Sequence, residues 1–294
     1  MGVIKNMDYN FSEDLHAIRS ILNLTQIELA EKIGVEQITI SRNERRKSKP
    51  SKHLMEQVYQ FAFKENIQLN RLKEMFWDEQ LTSSHKLLFH GAKNIINGPI
   101  NIHKGRANND FGQGFYAGES YIQAISFVSG FEDSSVYYLD FDSQNLKCKE
   151  YYVDQEWMMT IAYYRKALSD YEKHPLIQKL ITDSQKCDYI IAPIADNRMF
   201  QIIDSFVQGD LTDEQCKHCL AATNLGKQYV FKSDSAISQL KIVERVYLAE
   251  NEKDYYKNLR TSDSNLGDNK VKLAKIKYRG QGRYIDEILD LDGM

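Results

Sequence analysis

With 294 residues, 42% of them hydrophobic and 27% charged, and a net charge of -3, the chain has room for two cored domains and an ordinary globular composition. The near-neutral balance excludes a whole-chain attraction to nucleic acid or membrane, so any such site must be local. No stretch approaches a membrane span, the start (Met1 to Asn10) lacks the apolar core of a signal peptide, and Cys148, Cys187, Cys216 and Cys219 are too few and uneven for a disulfide framework; the chain reads as cytoplasmic, with no membrane partner.

Residues 1–80 read as an all-α domain. Leu15, Ile18, Ile21 and Leu22 recur at helical spacing and predict a first amphipathic helix. Thr25 and Glu28 are spaced as a capping box that opens a second helix. Ala30 is small enough for a close crossing, and Gly34 can adopt the left-handed conformation that ends the helix. A polar helix is predicted from about Glu36 to Glu44, burying Val35 and Ile40 and exposing the rest. The run from Leu24 through Gly34 to Thr39–Arg42 and Glu44 resembles the helix-turn-helix of phage repressors and their bacterial relatives. That resemblance implies a DNA partner, with Gln37, Ile38, Thr39 and Arg42 facing the major groove; Gln and Arg each suit a two-point contact with a base edge. Arg45, Arg46, Lys47, Lys49 and Lys52 follow at once and are expected to neutralise phosphates. Glu36 departs from the small cap residue usual at that position. Repressor-type modules commonly dimerise to match two half-sites, so a homodimer is possible.

Residues 83–250 read as an α+β domain. Short aromatic and β-branched runs at Lys86–His90, Val136–Phe141, Tyr189–Pro193 and Gln228–Phe231 predict strands. Helices are expected at Gln155–Leu168 and Thr212–Ala222, the second opening on a capping box formed by Thr212 and Gln215. Gly112 and Gly114 permit a tight turn or a close ligand approach, without making a dinucleotide-binding fingerprint or a phosphate loop. His90, the glycine-flanked pair Phe115–Tyr116 and the amide of Gln228 are the candidates to line one cleft. Cys216-Lys-His-Cys219 is half of a zinc pattern with no second pair, so no metal is expected.

His90-Gly91, then Gly112-Gln-Gly-Phe-Tyr116, then Gln228 before Tyr-Val-Phe stand in an order that resembles the ADP-ribosyltransferase superfamily. The likeness is to the branch of poly(ADP-ribose) polymerases, diphtheria toxin and small bacterial relatives, and spans about Leu87 to Lys241. It implies NAD as substrate. His90 would hold the adenosine-side ribose, and Gly91 would meet the nicotinamide amide through its backbone. Tyr116 would stack on the nicotinamide ring, helped by Phe115 or Tyr121, with Gly114 on the same NAD-binding strand. Gln228 would contact the nicotinamide ribose, and Arg198 would face the pyrophosphate, with Asp196 near the cleft. His90, Tyr116 and Gln228 are the catalytic candidates. Gln228 stands where the family has a glutamate; it can orient a hydroxyl but carries no charge and is no general base. That disfavours polymer formation and leaves a mono-ADP-ribosyltransferase of toxin, defence or regulatory type with an unknown acceptor, an NAD hydrolase, or a binding domain. The last corresponds to a transcription regulator that senses NAD or ADP-ribose through an inactive transferase fold; a protein-interaction scaffold is a third reading.

Residues 251–294 read as a polar tail. Lys270 to Arg283 carries six basic residues and no acid, followed by Asp286, Glu287, Asp290 and Asp292. A solvated, partly disordered tail is expected, with contact to nucleic acid or to the catalytic cleft as the alternative.

Overall fold

The computed structural model describes residues 8–221 and 225–291, apart from the side chains of 263–265 and 291. The predicted features at Met1 to Met7, the last residue of the Thr212–Ala222 helix, and Asp292 lie outside the described residues. The helices α1 (Phe11–Ile21), α2 (Gln26–Ile33), α3 (Gln37–Glu44), α4 (Lys52–Lys64) and α5 (Leu69–Gln80) lead into strand β1 (His85–Ala92). Strand β2 (Phe115–Gly118), helix α6 (Tyr121–Val128), strands β3 (Ser135–Asp142) and β4 (Cys148–Glu150), and helices α7 (Gln155–Tyr164) and α8 (Pro175–Gln185) come next. They are followed by β5 (Tyr189–Pro193), α9 (Asn197–Val207), α10 (Asp213–Ala221), β6 (Lys227–Phe231), α11 (Asp234–Ser238), β7 (Leu240–Tyr247), α12 (Glu250–Lys277) and α13 (Ile285–Leu291). An N-terminal helical region followed by mixed strands and helices is thus present.

The chain divides into two compact units that interleave in sequence. One comprises Met1–Pro99, Ser120–Asp142 and Lys241–Leu259; the other comprises Ile100–Glu119, Ser143–Leu240 and Arg260–Met294. These boundaries differ from a simple succession of residues 1–80 and 83–250, because strands and helices of the second stretch pack with the first.

In the first unit, α1 to α4 enclose Phe11, Leu15, Ile18, Leu29, Ala30, Ile40, Val58 and Ala62. Ile21, expected on the buried face of the first helix, is exposed; Phe11 and Asp14 complete that face instead, at the N-terminal end of the helix. Strands β1 and β3 pair antiparallel with Leu88 opposite Leu139, and the order is β1-β3-β7. A buried charge network joins the helices to β7. Lys73 on α5 sits 2.6 Å from Asp14 of α1 and 2.5 Å from Glu244 of β7. Tyr59 donates to Asp14 at 2.5 Å and Trp77 Nε1 to Glu244 at 2.7 Å. Burial pulls the Lys73 ammonium towards neutrality, but the two carboxylates outweigh it and hold its pKa above the ordinary value. Beside this network the Tyr59 ring stacks on Tyr247, centroids 5.2 Å apart.

In the second unit the strand order is β4-β5-β6-β2, with β4 parallel to β5 and the other neighbours antiparallel. Its core gathers Phe111, Trp157, Met158, Ile190, Met199, Phe206, Cys216, Cys219 and Val230. The last segment is not a loose tail. Helices α12 and α13 account for most of it, and Ala274, Ile285, Ile288 and Leu289 join this core. Few apolar residues do that work, which is why a 3.6-residue period is faint in the sequence.

Candidate functional site

The α2–α3 pair has the local chemistry the sequence anticipates. Thr25 accepts from the Glu28 N–H at 3.2 Å while the Glu28 carboxylate accepts from the Thr25 N–H at 2.7 Å. Gly34 closes α2 at φ 73°. Gln37, Ile38 and Arg42 of α3 are exposed and Thr39 is half-buried. Gln37 donates to Gln26 Oε1 at 2.7 Å, and Gln26 in turn donates to Glu44 at 2.5 Å. Glu44, expected on the exposed face, is buried: it accepts from Arg19 Nε at 2.5 Å and ties α1, α2 and α3 together. Burial works against its charge, but the hydrogen bonds from Arg19 and Gln26 outweigh that and hold its carboxyl below the ordinary value.

The cations behind α3 are largely engaged. Arg46 pairs with Glu13, Lys49 lies 3.3 Å from Asp8, and Lys52 lies 2.9 Å from Asp133 and 3.2 Å from Glu132. Arg45 folds back to the Ser41 carbonyl at 3.1 Å. A phosphate approaching them competes with carboxylates already present.

Still in the first unit, half-buried His90 stands opposite Tyr137 and Gly91 opposite Val136 in the β1–β3 ladder. A Cβ on Gly91 would lie 2.5 Å from the Ala124 carbonyl oxygen and 2.9 Å from Val128 Cγ1, so close packing of α6 on β1 by itself demands glycine there. Tyr121 is a correction to the expected site. Its ring is fully buried, its hydroxyl donates to Glu252 at 2.7 Å and accepts from Asn70 Nδ2 at 3.1 Å, and no face remains for a nicotinamide ring. The residue fills the core between α6 and α12.

In the second unit the loop before β2 is held from several sides. Tyr116 donates to the Gly112 carbonyl at 2.7 Å and accepts from the Phe111 N–H at 3.0 Å, and burial pushes its phenol far above the usual tyrosine range. Lys232 donates to the carbonyls of Phe111 and Gln113 at 2.6 and 2.8 Å, with burial lowering its pKa. Gly112 has φ 72°, and a Cβ on Gly114 would meet the Phe231 carbonyl oxygen at 2.8 Å. Phe115 lies beside Phe231, opposite it in the β2–β6 register.

Gln228, at the start of β6, is opposite Gly118 of β2 and Ala192 of β5. It is 93% buried, and both amide hydrogens are committed: Nε2 donates to Asp110 Oδ2 at 2.8 Å and to the Pro193 carbonyl at 3.0 Å. Both partners are pure acceptors, so the amide orientation is dictated and Oε1 must point away from them. Among the described residues nothing donates to that oxygen. Asp110 is itself buried and accepts from Arg165 Nε at 2.8 Å and from the Ala195 N–H at 3.3 Å. The Arg165 guanidinium also donates to the Ala195 carbonyl and lies 4.7 Å over the Phe200 ring. Asp110 and Arg165 were not legible as site residues: they are 55 positions apart, and only the folded chain pairs them.

Asp196 caps α9, accepting from the Met199 N–H at 2.9 Å, and Arg198 is paired with Asp268 of α12 at 3.1 Å. Asp196 is therefore a helix cap, and Arg198 reaches a phosphate only in competition with Asp268. Cys216 and Cys219 are buried apolar packing residues on α10.

A family model described as "Protein of unknown function (DUF3990)" matches residues 87–242, just over half of the chain. The chain belongs to the DUF3990 family. Neither a curated protein nor a solved structure matches it significantly. The DUF3990 segment contains His90, Asp110, Tyr116, Arg165, Arg198 and Gln228. The five N-terminal helices, Glu244 of the buried network, and α12 and α13 lie outside it.

Proposed function

We propose that the DUF3990 segment is an NAD-dependent mono-ADP-ribosyltransferase carried with an N-terminal helix-turn-helix that binds DNA. The observation that carries the transferase reading is Gln228: an amide locked by two acceptors, with its oxygen left to accept from a hydroxyl. A ribose hydroxyl is such a donor, and fixing it in advance removes an orientation cost from the reaction. Breaking the nicotinamide–ribose bond passes through an oxocarbenium-like state, and nicotinamide leaves readily, so positioning and a nearby negative charge do much of the work. Asp110, behind the Gln228 amide, supplies that charge without a free carboxylate at the reacting sugar. Incubation with labelled NAD and cell extract tests the reading: transfer of label with release of nicotinamide is expected, and neither transfer nor release would sink it.

The exposed Gln37, Ile38 and Arg42 on α3 support the DNA-binding part. Selection from a random duplex pool should enrich one sequence, and Gln37→Ala with Arg42→Ala should abolish the enrichment. A second reading, a regulator that senses NAD or ADP-ribose without turnover, is favoured by one feature: the carboxylate beside Gln228, Asp110, is already ion-paired with Arg165. Its mark would be ligand-dependent operator binding with no nicotinamide release.

A further inference from the structure

The cations of this chain fall into two populations. Those behind α3, Arg46, Lys49 and Lys52, are paired with Glu13, Asp8, and Glu132 with Asp133. Those at the end of α12 and in the turn after it, Lys270, Lys272, Lys277, Arg279 and Arg283, are exposed, and none has an ion-pair partner among the described residues. No acidic residue occurs between Asp268 and Asp286. In a chain of net charge -3 this is a run of exposed cations without ion pairs, although Asp213 and Glu214 of α10 lie against the turn and Glu287 accepts from the Tyr284 N–H.

The segment is also pre-formed. Lys270 to Lys277 rises by about 10 Å along the helix. The turn Arg279-Gly-Gln-Gly-Arg283 then fits tightly onto the start of α10: the Asp213 N–H donates to the Arg283 carbonyl at 2.9 Å, and the Arg283 N–H donates to Asp213 Oδ1 at 2.7 Å. Gly280 and Gly282 have φ 71° and 85°, and a Cβ on Gly282 would lie 2.9 Å from the Glu214 nitrogen, so the turn holds one shape. Tyr284, 40% exposed, follows at once. An anionic membrane or an acidic helix would use the exposed Leu266, Leu273 and Ile276 of α12. The arginines, however, lie beyond that stripe, on a turn with no apolar residue. Exposed cations on a helix end and a fixed turn, beside an exposed aromatic, suit a phosphate backbone with bases able to stack.

We infer that the end of α12 and the turn Arg279–Arg283 form a nucleic-acid-binding surface separate from α3. Its recognition is through phosphates and is sequence-independent. It requires neither the helix-turn-helix reading nor the transferase reading.

The test uses the full chain with two fluorescent probes of random sequence, a duplex and a single strand, titrated at several salt concentrations. The wild-type protein should bind, with affinity falling on the order of 100-fold between about 50 and 200 mM salt if four phosphates are met. The combined variant Lys272→Gln, Lys277→Gln, Arg279→Gln and Arg283→Gln changes only exposed side chains. It should flatten the duplex salt slope by roughly three to four units. A greater loss on the single strand in Tyr284→Ala marks the unpaired form as the natural partner, and an equal loss on both marks the duplex. The inference is overturned if the fourfold variant binds both probes as the wild type does, or if the wild type binds neither. Binding of anionic vesicles that the fourfold variant loses, without binding of either probe, overturns it in favour of a membrane surface.

Discussion

Each unit of this protein buries a charge network, and the two end differently. In the first unit Asp14, Lys73 and Glu244 are joined by Tyr59 and Trp77, each carboxylate meeting the ammonium and a further donor. In the second, Asp110 and Arg165 are joined by the Gln228 amide, and the chain of bonds stops at Oε1 with no protein donor among the described residues. A closed network holds elements together. A network with an oriented acceptor left over has paid the cost of fixing that atom in advance, which is the condition for recognising a hydroxyl.

The largest expected effect breaks the closed network. Lys73→Met leaves two buried carboxylates without their cation, and urea unfolding should show a loss of about 3–5 kcal/mol. Restoration of much of that stability in Lys73→Met combined with Asp14→Asn and Glu244→Gln would identify the uncompensated charge as the cause.

Next comes a pH effect beside the same network. Burial raises the Glu252 carboxyl from 4.5 to about 7, against the lowering effect of Tyr121, Asn70 and Lys73. A raised folded-state pKa means that the neutral acid is favoured in the fold. Its contribution is fully present below about pH 4.5 and is lost as pH rises through about 7. Wild-type stability should therefore fall across that window by a few kcal/mol relative to Glu252→Gln. Parallel curves for the two proteins would refute the assignment.

The open network is addressed by Asp110→Asn, which keeps the shape and removes the charge. Under the proposed transferase reading, nicotinamide release should drop on the order of 10- to 100-fold, because the Gln228 amide loses the partner that fixes it. Unchanged release would mean that Gln228 is held by Pro193 alone. The smallest effect is Tyr59→Phe, which removes one donor to Asp14 from a network with another donor present; thermal unfolding should report about 1 kcal/mol.

Local signals carried well from sequence to structure. The Thr25–Glu28 box, Gly34 and the Thr212–Gln215 pair each act within four residues and appear as anticipated, the last with Gln215 N–H donating to Thr212 at 3.2 Å. The strand Tyr189–Pro193 is found at its expected limits, because a run of apolar residues closed by proline marks both. Non-local facts were not legible. Burial of Asp14, Glu44, Asp110 and Glu244 depends on partners far away in the chain, and a lone charged residue carries no sign of them. Tyr121 illustrates the opposite error: an aromatic placed near a motif by analogy is taken up by the core once Asn70 and Glu252 supply its hydroxyl with partners.

The position of Glu244 has a practical corollary. The N-terminal helices are completed by β7 and Tyr247, which follow them by well over 150 residues. They are therefore not a cassette that can be cut out after residue 80 and grafted onto another protein. A fragment ending there would expose Lys73, Tyr59 and Trp77 to water. Any chimera that borrows these helices must bring the distant strand with it.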